Sequence, residues 1–255
     1  MPKKVAWVLG GAKGLGVMVA KGLAQDGYQL VINYRKSRQA AQKLQHELQE
    51  IGSDALILQG DVSQLSAVKQ MVQEVMHTWG RIDVLVCTAG PFHFKPIPLV
   101  ELQDHQWGEM IDGNLSSVFY ITREVIPIMR QQGGGRIITF GFAGAELAPA
   151  WSGYSSYAAA KVGLVSLTRT LAEEEASFGI TVNMIYPGDI RDPYKEALIS
   201  EARGQADPRS RVGRPGTGED IARVVRFLAH PDSDWITGAI IPVTGGFSLH
   251  WNYVK

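Results

Sequence analysis

The 255 residues are 45% hydrophobic and 20% charged, enough apolar material for a sizeable core and within the range of one α/β domain. Twenty-five basic residues balance twenty-five acidic ones, so no net field draws the chain to nucleic acid or an anionic membrane, and a small molecule is the expected partner. The single cysteine, Cys87, cannot close an internal disulfide, the six histidines show no metal-site spacing, and the first apolar run is too short for a signal or a membrane span; a reducing cytoplasm is expected.

A first strand is expected over Val5 to Leu9. It runs into Gly10-Gly11-Ala12-Lys13-Gly14-Leu15-Gly16, after which Val19 and Leu23 set a helical period. Strand, glycine turn and helix suit a dinucleotide pyrophosphate, because glycine lets a phosphate approach the backbone and a helix N-terminus offers free N–H groups. The spacing of Gly10, Gly14 and Gly16 differs from the common Gly-x-Gly-x-x-Gly fingerprint, and alone it also fits an ordinary tight turn. The second strand, Leu30 to Ile32, ends in Asn33-Tyr34-Arg35-Lys36-Ser37, with no carboxylate where the adenosine ribose usually meets one. Arg35, Lys36 and the Ser37 hydroxyl instead suit a 2′-phosphate, which favours NADPH over NADH; the alternative is a solvated basic loop.

A helix with Ala41, Leu44, Leu48 and Ile51 on one face leads to a strand over Ala55 to Leu58 and then to Gly60-Asp61-Val62. Asp61 is expected to bond the adenine amino group with Val62 on the ring, or to cap the helix that carries Leu65, Val68, Val72 and Val75. The strand Val84 to Val86 runs into Cys87-Thr88-Ala89-Gly90, small residues that let the backbone lie against a cofactor. Residues 91 to 99 hold three prolines, two phenylalanines and His93, a loop over a pocket mouth. From Asp104 a helical period passes through Trp107, Ile111, Val118, Val125 and Met129, interrupted by Asn114, which is expected to kink the helix and hold an ordered water or to satisfy nearby backbone groups.

Gly133-Gly134-Gly135 break that helix, Arg136 to Phe140 form a strand, and a loop leads to the helix opened by Tyr154 and running to about Phe178. Residues four apart share a helix face, so Tyr157 and Lys161 are neighbours, with Tyr154 one turn earlier. An ammonium beside a phenol favours the phenolate, and the pair can then exchange a proton near neutral pH, although Tyr-x-x-x-Lys also occurs on ordinary surface helices. The strand Ile180 to Tyr186 ends at Pro187-Gly188-Asp189-Ile190, and a segment rich in charge, glycine and proline, about 190–218, reads as a mobile substrate lid. A last helix carries Ile221, Val224, Val225 and Leu228, a last strand spans Ala239 to Val243, and an aromatic tail holds Trp251 and Tyr253. This alternation predicts a single α/β domain over 1–255, a Rossmann-type doubly wound parallel sheet of about seven strands flanked by helices, with ligands at the carboxyl ends of the strands.

With the glycine turn, Asp61, Ala89-Gly90, Asn114, Tyr157-x-x-x-Lys161 and Pro187-Gly188 in that order, the chain resembles a short-chain dehydrogenase/reductase over nearly its whole length. It is most similar to the 3-oxoacyl-ACP reductase group of fatty acid biosynthesis. The resemblance implies hydride from NADPH, Tyr157 as proton donor, Lys161 lowering its pKa and holding the nicotinamide ribose, and Asn114 ordering a water in a proton relay. It implies a cofactor site at Gly10, Lys13, Gly14, Leu15, Gly16, Asn33, Tyr34, Arg35, Lys36, Ser37, Asp61, Val62, Thr88, Ala89, Gly90, Tyr157, Lys161, Pro187, Gly188 and Ile190. Phe142, Tyr154 and His93 would line a pocket for a ketone or acyl thioester, no metal would be needed, and a homotetramer would be built through the long helices holding Asn114 and Tyr157.

The departures are specific. Leu9 replaces the family's usual threonine, Cys87-Thr88 its paired asparagines, and Asp192 the threonine after Pro-Gly. Phe142 stands where a substrate-binding serine normally follows the fifth strand, and no serine occurs from Phe140 to Trp151. A phenyl ring donates no hydrogen bond, so one of two carbonyl donors is missing, a loss on the order of 10² or more in rate. Enoyl-ACP reductases also lack that serine and use Tyr-x-x-x-x-x-x-Lys, a spacing met by Tyr154 and Lys161, and their Tyr-x-Gly-Ala-Glu resembles Phe142 to Glu146. Pteridine reductases resemble Gly153 to Lys161 and Gly245-Gly246-Phe247-Ser248-Leu249, but their aspartate is found neither at Phe142 nor at Gly144. A third reading is a cofactor-binding sensor or subunit that has lost efficient catalysis.

Overall fold

The computed structural model describes residues 3–246. Seven strands, β1 (Val5–Leu9), β2 (Gln29–Tyr34), β3 (Ala55–Gln59), β4 (Val84–Cys87), β5 (Gly135–Phe140), β6 (Ile180–Pro187) and β7 (Ile240–Val243), form one parallel sheet in the order β3-β2-β1-β4-β5-β6-β7. β1 lies inside the sheet, between β2 and β4, and all five of its residues are buried, because a parallel sheet covered on both faces leaves no solvent side. Its register sets the rim of the site: Val8 pairs with Ile32 and Val86, and Leu9 with Cys87, so the segments after β1, β2 and β4 emerge at one edge.

On one face lie α1 (Leu15–Gln25), α2 (Arg38–Glu50) and α8 (Gly218–Ala229), which cover Val8, Ile32 and Val86 with Val19, Leu44 and Val225. On the other lie α3 (Leu65–Trp79), α5 (Ser117–Gln132) and α6 (Ser155–Glu175), whose Val72, Val125 and Leu164 pack on Trp7, Leu85 and Val182. A short α7 (Ile199–Ala202) lies between β6 and α8. The buried Glu175 takes two bonds of 2.7 Å from the Arg130 guanidinium, a bidentate pair that ties α6 to α5.

The interrupted helical period resolves into α4 (Asp104–Ile111), one π-helical turn (Asp112–Ser116) and α5, with Asn114 in the π turn. Such a bulge puts an extra residue into the helix and turns its side chain out of register, which is how a polar residue can break an apolar face. Two expectations are corrected. Asp61 does not cap α3: Gln64 holds that position, and Asp61 instead accepts from the Ser63 N–H at 3.0 Å and hydroxyl at 2.7 Å in a local turn. β2 extends through Asn33 and Tyr34, and the Tyr34 side chain is buried in the core, away from the role expected of it beside the cofactor. The segment 190–218 carries several ion pairs. Arg209 bonds Asp207 and Asp189, and Arg214 bonds Asp220, which also forms the capping box with Thr217 at the start of α8. Phe247 to Tyr253, used in the pteridine reductase comparison and the tail reading, lie outside the described residues. Among those described, no helix is long and apolar enough to cross a membrane.

Candidate active site

The glycine turn follows β1 and opens α1. Gly10 has φ +68°, and a Cβ there would stand 2.9 Å from the Ala89 backbone; at Gly16 it would stand 2.7 Å from Gly11. Only glycine allows both approaches. Asn33 braces this turn: its Oδ1 accepts from the Gly10 N–H at 3.3 Å, and its Nδ2 donates to the Gly60 carbonyl at 3.0 Å. Thr88 donates its hydroxyl to the Leu9 carbonyl at 2.5 Å and ties β4 to the same turn.

Beside the turn opens a cavity of about 380 Å³, lined by Gly10, Asn33, Arg35, Asp61, Thr88 and Gly90 among others. The guanidinium of Arg35 lies 3.5 Å from the Asp61 carboxylate. Burial works to raise the Asp61 pKa, but the two Ser63 bonds and Arg35 outweigh it, and the carboxyl stays below its ordinary value. Val62 is buried at this rim, Ser37 is half-buried, and Lys13 and Lys36 are exposed. Pro187 and Gly188 continue from the end of β6, while Ile190 turns into the core. These residues fit a dinucleotide, because the glycine cradle admits a phosphate that a side chain would exclude and two cations stand at the ribose end. Among the described residues, no cluster of His, Cys, Asp or Glu could hold a metal ion.

At the other end stands the catalytic candidate. Lys161 is 5% exposed, donates Nζ–H to the Phe140 carbonyl at 2.7 Å, and lies 5.8 Å from the centre of the Tyr157 ring. Desolvation lowers its pKa to about 8, against a smaller opposing pull from Cys87. Burial pushes the Tyr157 phenol well above its ordinary value, so here desolvation outweighs the ammonium expected to lower it. At neutral pH the residue is therefore a phenol that keeps its proton, rather than a standing phenolate. Burial likewise pushes the Cys87 thiol up to about 12, with Lys161 opposing, which leaves it unreactive.

Asn114 is 1% exposed, and its Nδ2 donates to the carbonyls of Met110 (3.0 Å) and Pro91 (2.9 Å). Its Oδ1 is buried without a protein partner, an acceptor that suits a polar ligand in the site. Tyr154 is turned elsewhere: its hydroxyl donates to the Phe94 carbonyl at 3.3 Å, and its ring stacks on His93 and Phe92. His93 donates through Nδ1 to the Lys95 carbonyl at 2.9 Å, since a carbonyl only accepts. Phe142 is buried between Trp151 and Tyr157, with ring centres 5.0 and 6.0 Å away, so the missing serine is a missing donor at the site itself.

Of the positions read from the sequence, Gly10, Asn33, Arg35, Asp61, Thr88 and Gly90 share one cavity, Phe142 and Tyr157 are in ring contact, Gly188 and Ile190 line a second cavity, and Tyr34 lies in the core. Three participants were not read as site residues. Phe92 and Trp151 pack against Tyr157 from two different loops, and Glu196 bonds the glycine turn. The aromatic content of residues 91–99 was visible, but not its direction; Glu196 gave no local signal.

Residues 10–248 match the family model described as enoyl-(acyl carrier protein) reductase. The chain is a short-chain dehydrogenase/reductase. It is 44% identical over 245 residues to YtkK of Bacillus subtilis (strain 168), whose name calls it an oxidoreductase, covering 96% of each chain. It is 36% identical to the 3-oxoacyl-[acyl-carrier-protein] reductase FabG of Staphylococcus epidermidis, over 96% of this chain and 99% of the relative. A Bacillus thuringiensis structure described as a 3-oxoacyl-reductase superposes with a TM-score of 0.90 at 44% identity, covering 96% of this chain and 98% of that one. The protein is accordingly an oxidoreductase of a family that works with nicotinamide dinucleotides.

Proposed function

We propose that this short-chain dehydrogenase/reductase uses NADPH to reduce a carbonyl, of the 3-oxoacyl thioester or a related ketone kind, with Tyr157 as the proton donor. One observation carries the choice of tyrosine. Lys161 lies beside the Tyr157 ring, whereas the Tyr154 hydroxyl is committed to the Phe94 carbonyl on the far side of the stack. The enoyl reductase spacing exists in the sequence but has no matching contact between Tyr154 and Lys161 among the described residues.

When bound at the glycine turn and beside Tyr157 and Lys161, NADPH would supply a hydride for the carbonyl carbon, with the carbonyl π pair going to the oxygen that Tyr157 protonates. Tyr157 Oη hydrogen-bonds that oxygen and delivers its proton there, giving the alcohol. Lys161 keeps two N–H donors beyond the one given to Phe140, enough to hold the nicotinamide ribose and to help stabilise the phenolate that Tyr157 becomes. Asn114 Oδ1 orders a water for the returning proton. The glycine turn, from Gly10 through Lys13 and Leu15 to Gly16, receives the pyrophosphate, Asp61 and Val62 the adenine, and Arg35, Lys36 and Ser37 the 2′-phosphate. Thr88 to Gly90, with Pro187, Gly188 and the Ile190 backbone, line the nicotinamide half. The exposed Trp107 of α4 and Phe119 of α5 support a homotetramer assembled through those helices, and the lone buried Cys87 supports a cytoplasmic setting.

The experiment is NADPH oxidation with an acetoacetyl thioester, an enoyl thioester and a dihydropterin. Turnover of the ketone, abolished in Tyr157→Phe and largely kept in Tyr154→Phe, is the expected result. Ketone turnover that instead depends on Tyr154, or turnover of the enoyl thioester alone, would overturn the assignment.

A further inference from the structure

The rings around Tyr157 form a continuous aromatic wall. Phe92 meets its ring edge-on with centres 4.9 Å apart, and Trp151 does so at 6.0 Å. Trp151 packs in turn on Tyr154 at 4.7 Å and on Phe142 at 5.0 Å, while Phe92 lies parallel to Tyr154 at 5.4 Å. Phe92, Phe142 and Trp151 thus pack directly on the Tyr157 ring, and Tyr154 joins them through Phe92 and Trp151. Phe92 comes from the loop after β4 and Trp151 from the loop after β5, so the wall is built from the two segments that open at the carboxyl ends of the central strands.

Two physical consequences follow from this composition. An aromatic wall rewards a flat conjugated guest beyond simple burial, because ring pairs add a quadrupolar attraction that a flexible aliphatic chain does not gain. A carbonyl held by Tyr157 alone, with Phe142 unable to donate, develops its negative charge with one hydrogen bond too few. A substrate can make good that deficit itself when an adjacent carbonyl withdraws electrons from the reacting carbon and delocalises charge from the oxygen. An unactivated ketone cannot.

We infer that the aromatic wall of Phe92, Phe142, Trp151 and Tyr154 selects a flat aryl 1,2-dicarbonyl over an aliphatic 3-oxoacyl thioester as the carbonyl presented to Tyr157. This rests on the carbonyl reductase reading above and keeps its reaction: hydride to the carbonyl carbon, the Tyr157 proton to its oxygen, and an α-hydroxy ketone as product.

The test compares kcat/KM for 1-phenyl-1,2-propanedione, 2,3-butanedione, acetophenone and an acetoacetyl thioester with NADPH, in the wild type and in Trp151→Leu. The aryl dicarbonyl is expected to exceed the acetoacetyl thioester by at least about tenfold, and Trp151→Leu to lower the aryl-to-aliphatic ratio of the two diones by about fivefold or more. A second readout needs no turnover: 1-phenyl-1,2-propanedione should quench tryptophan fluorescence saturably, and Trp151→Leu should remove most of that quench. Preference for the acetoacetyl thioester, or an unchanged ratio of the diones in Trp151→Leu, overturns the inference. If none of the four carbonyls is reduced, it is the reading of the reaction that fails. The titration still decides the pocket, since saturable quenching lost in the variant supports the inference and its absence in the wild type refutes it.

Discussion

The backbone N–H of Gly14 donates to Glu196 Oε1 at 2.7 Å, so a carboxylate from the segment after β6 sits on the amide of the turn proposed to receive a pyrophosphate. Both are anions seeking the same donors at the start of α1, and they cannot share them. Glu196 follows directly on Lys195, whose side chain lies 3.7 Å from where a Gly14 Cβ would stand, so the turn Tyr194–Glu196 packs over the glycine turn.

A dinucleotide bound at this turn as proposed would therefore displace Glu196. Replacing Glu196 with Gln removes the competing charge and keeps the side-chain length. NADPH is expected to bind about three- to tenfold more tightly, a modest gain because the pair is exposed and screened. Titration of NADPH fluorescence reads this directly, and an unchanged or weaker Kd would show that the carboxylate does not compete.

Phe142→Ser tests the missing donor. A hydroxyl at this position can bond the carbonyl oxygen, and turnover of an unactivated ketone such as acetophenone is expected to rise by roughly 10- to 100-fold relative to wild type. An activated dicarbonyl should gain much less. Removing a ring that is 6% exposed costs stability of about 3–5 kcal/mol, so unfolding midpoints must be measured beside the rates. A folded variant with no gain on acetophenone would locate the deficit elsewhere.

The sheet and the Tyr157–Lys161 pair were legible because each is encoded locally, in runs of apolar residues and in a spacing of four along one helix. The π turn was half legible, since Asn114 announced an interruption without its form. The rest depends on pairings between distant residues. Asn33 reads as part of a ribose loop, yet it lies inside β2 and holds a turn 23 residues earlier; Glu196 meets Gly14 across 182 residues. Arg35 reads as a cation suited to a phosphate, and the fold also places the Asp61 carboxylate 3.5 Å from it. Nothing in a single sequence specifies which side chains the sheet order will bring together, and at this site those meetings decide which donors remain available.

Asn33→Ala measures how far the turn depends on its brace. It leaves the Gly10 N–H without its side-chain acceptor and the Gly60 carbonyl without its donor. A loss of roughly 2–3 kcal/mol in unfolding free energy is expected, with NADPH affinity falling by about tenfold or more as the turn loosens. Asn33→Asp restores only the acceptor. It should recover part of the stability, and equal losses in the two variants would argue against the bond to Gly10.

Lys161 yields the last prediction, because its burial sets stability against function. Its pKa in the folded protein, lowered to about 8 by desolvation, lies below the ordinary 10.5. Below about pH 8 both folded and unfolded chains hold the proton, and the folded state bears the full cost of a desolvated ammonium. Between about pH 8 and 10.5 the unfolded chain binds more protons than the folded one, so this contribution to stability improves as pH rises, and above that window the cost is gone. Lys161→Met removes the charge but also the bond to the Phe140 carbonyl. The variant should be more stable than wild type at pH 7 by roughly 1–2 kcal/mol, and the advantage should fade by pH 10. Urea unfolding of both proteins at the two pH values checks the sign, and a difference that does not change with pH would refute it. Carbonyl turnover should fall by about 10² or more in the same variant, and in the wild type it should decline as pH rises through about 8, where the ammonium is lost.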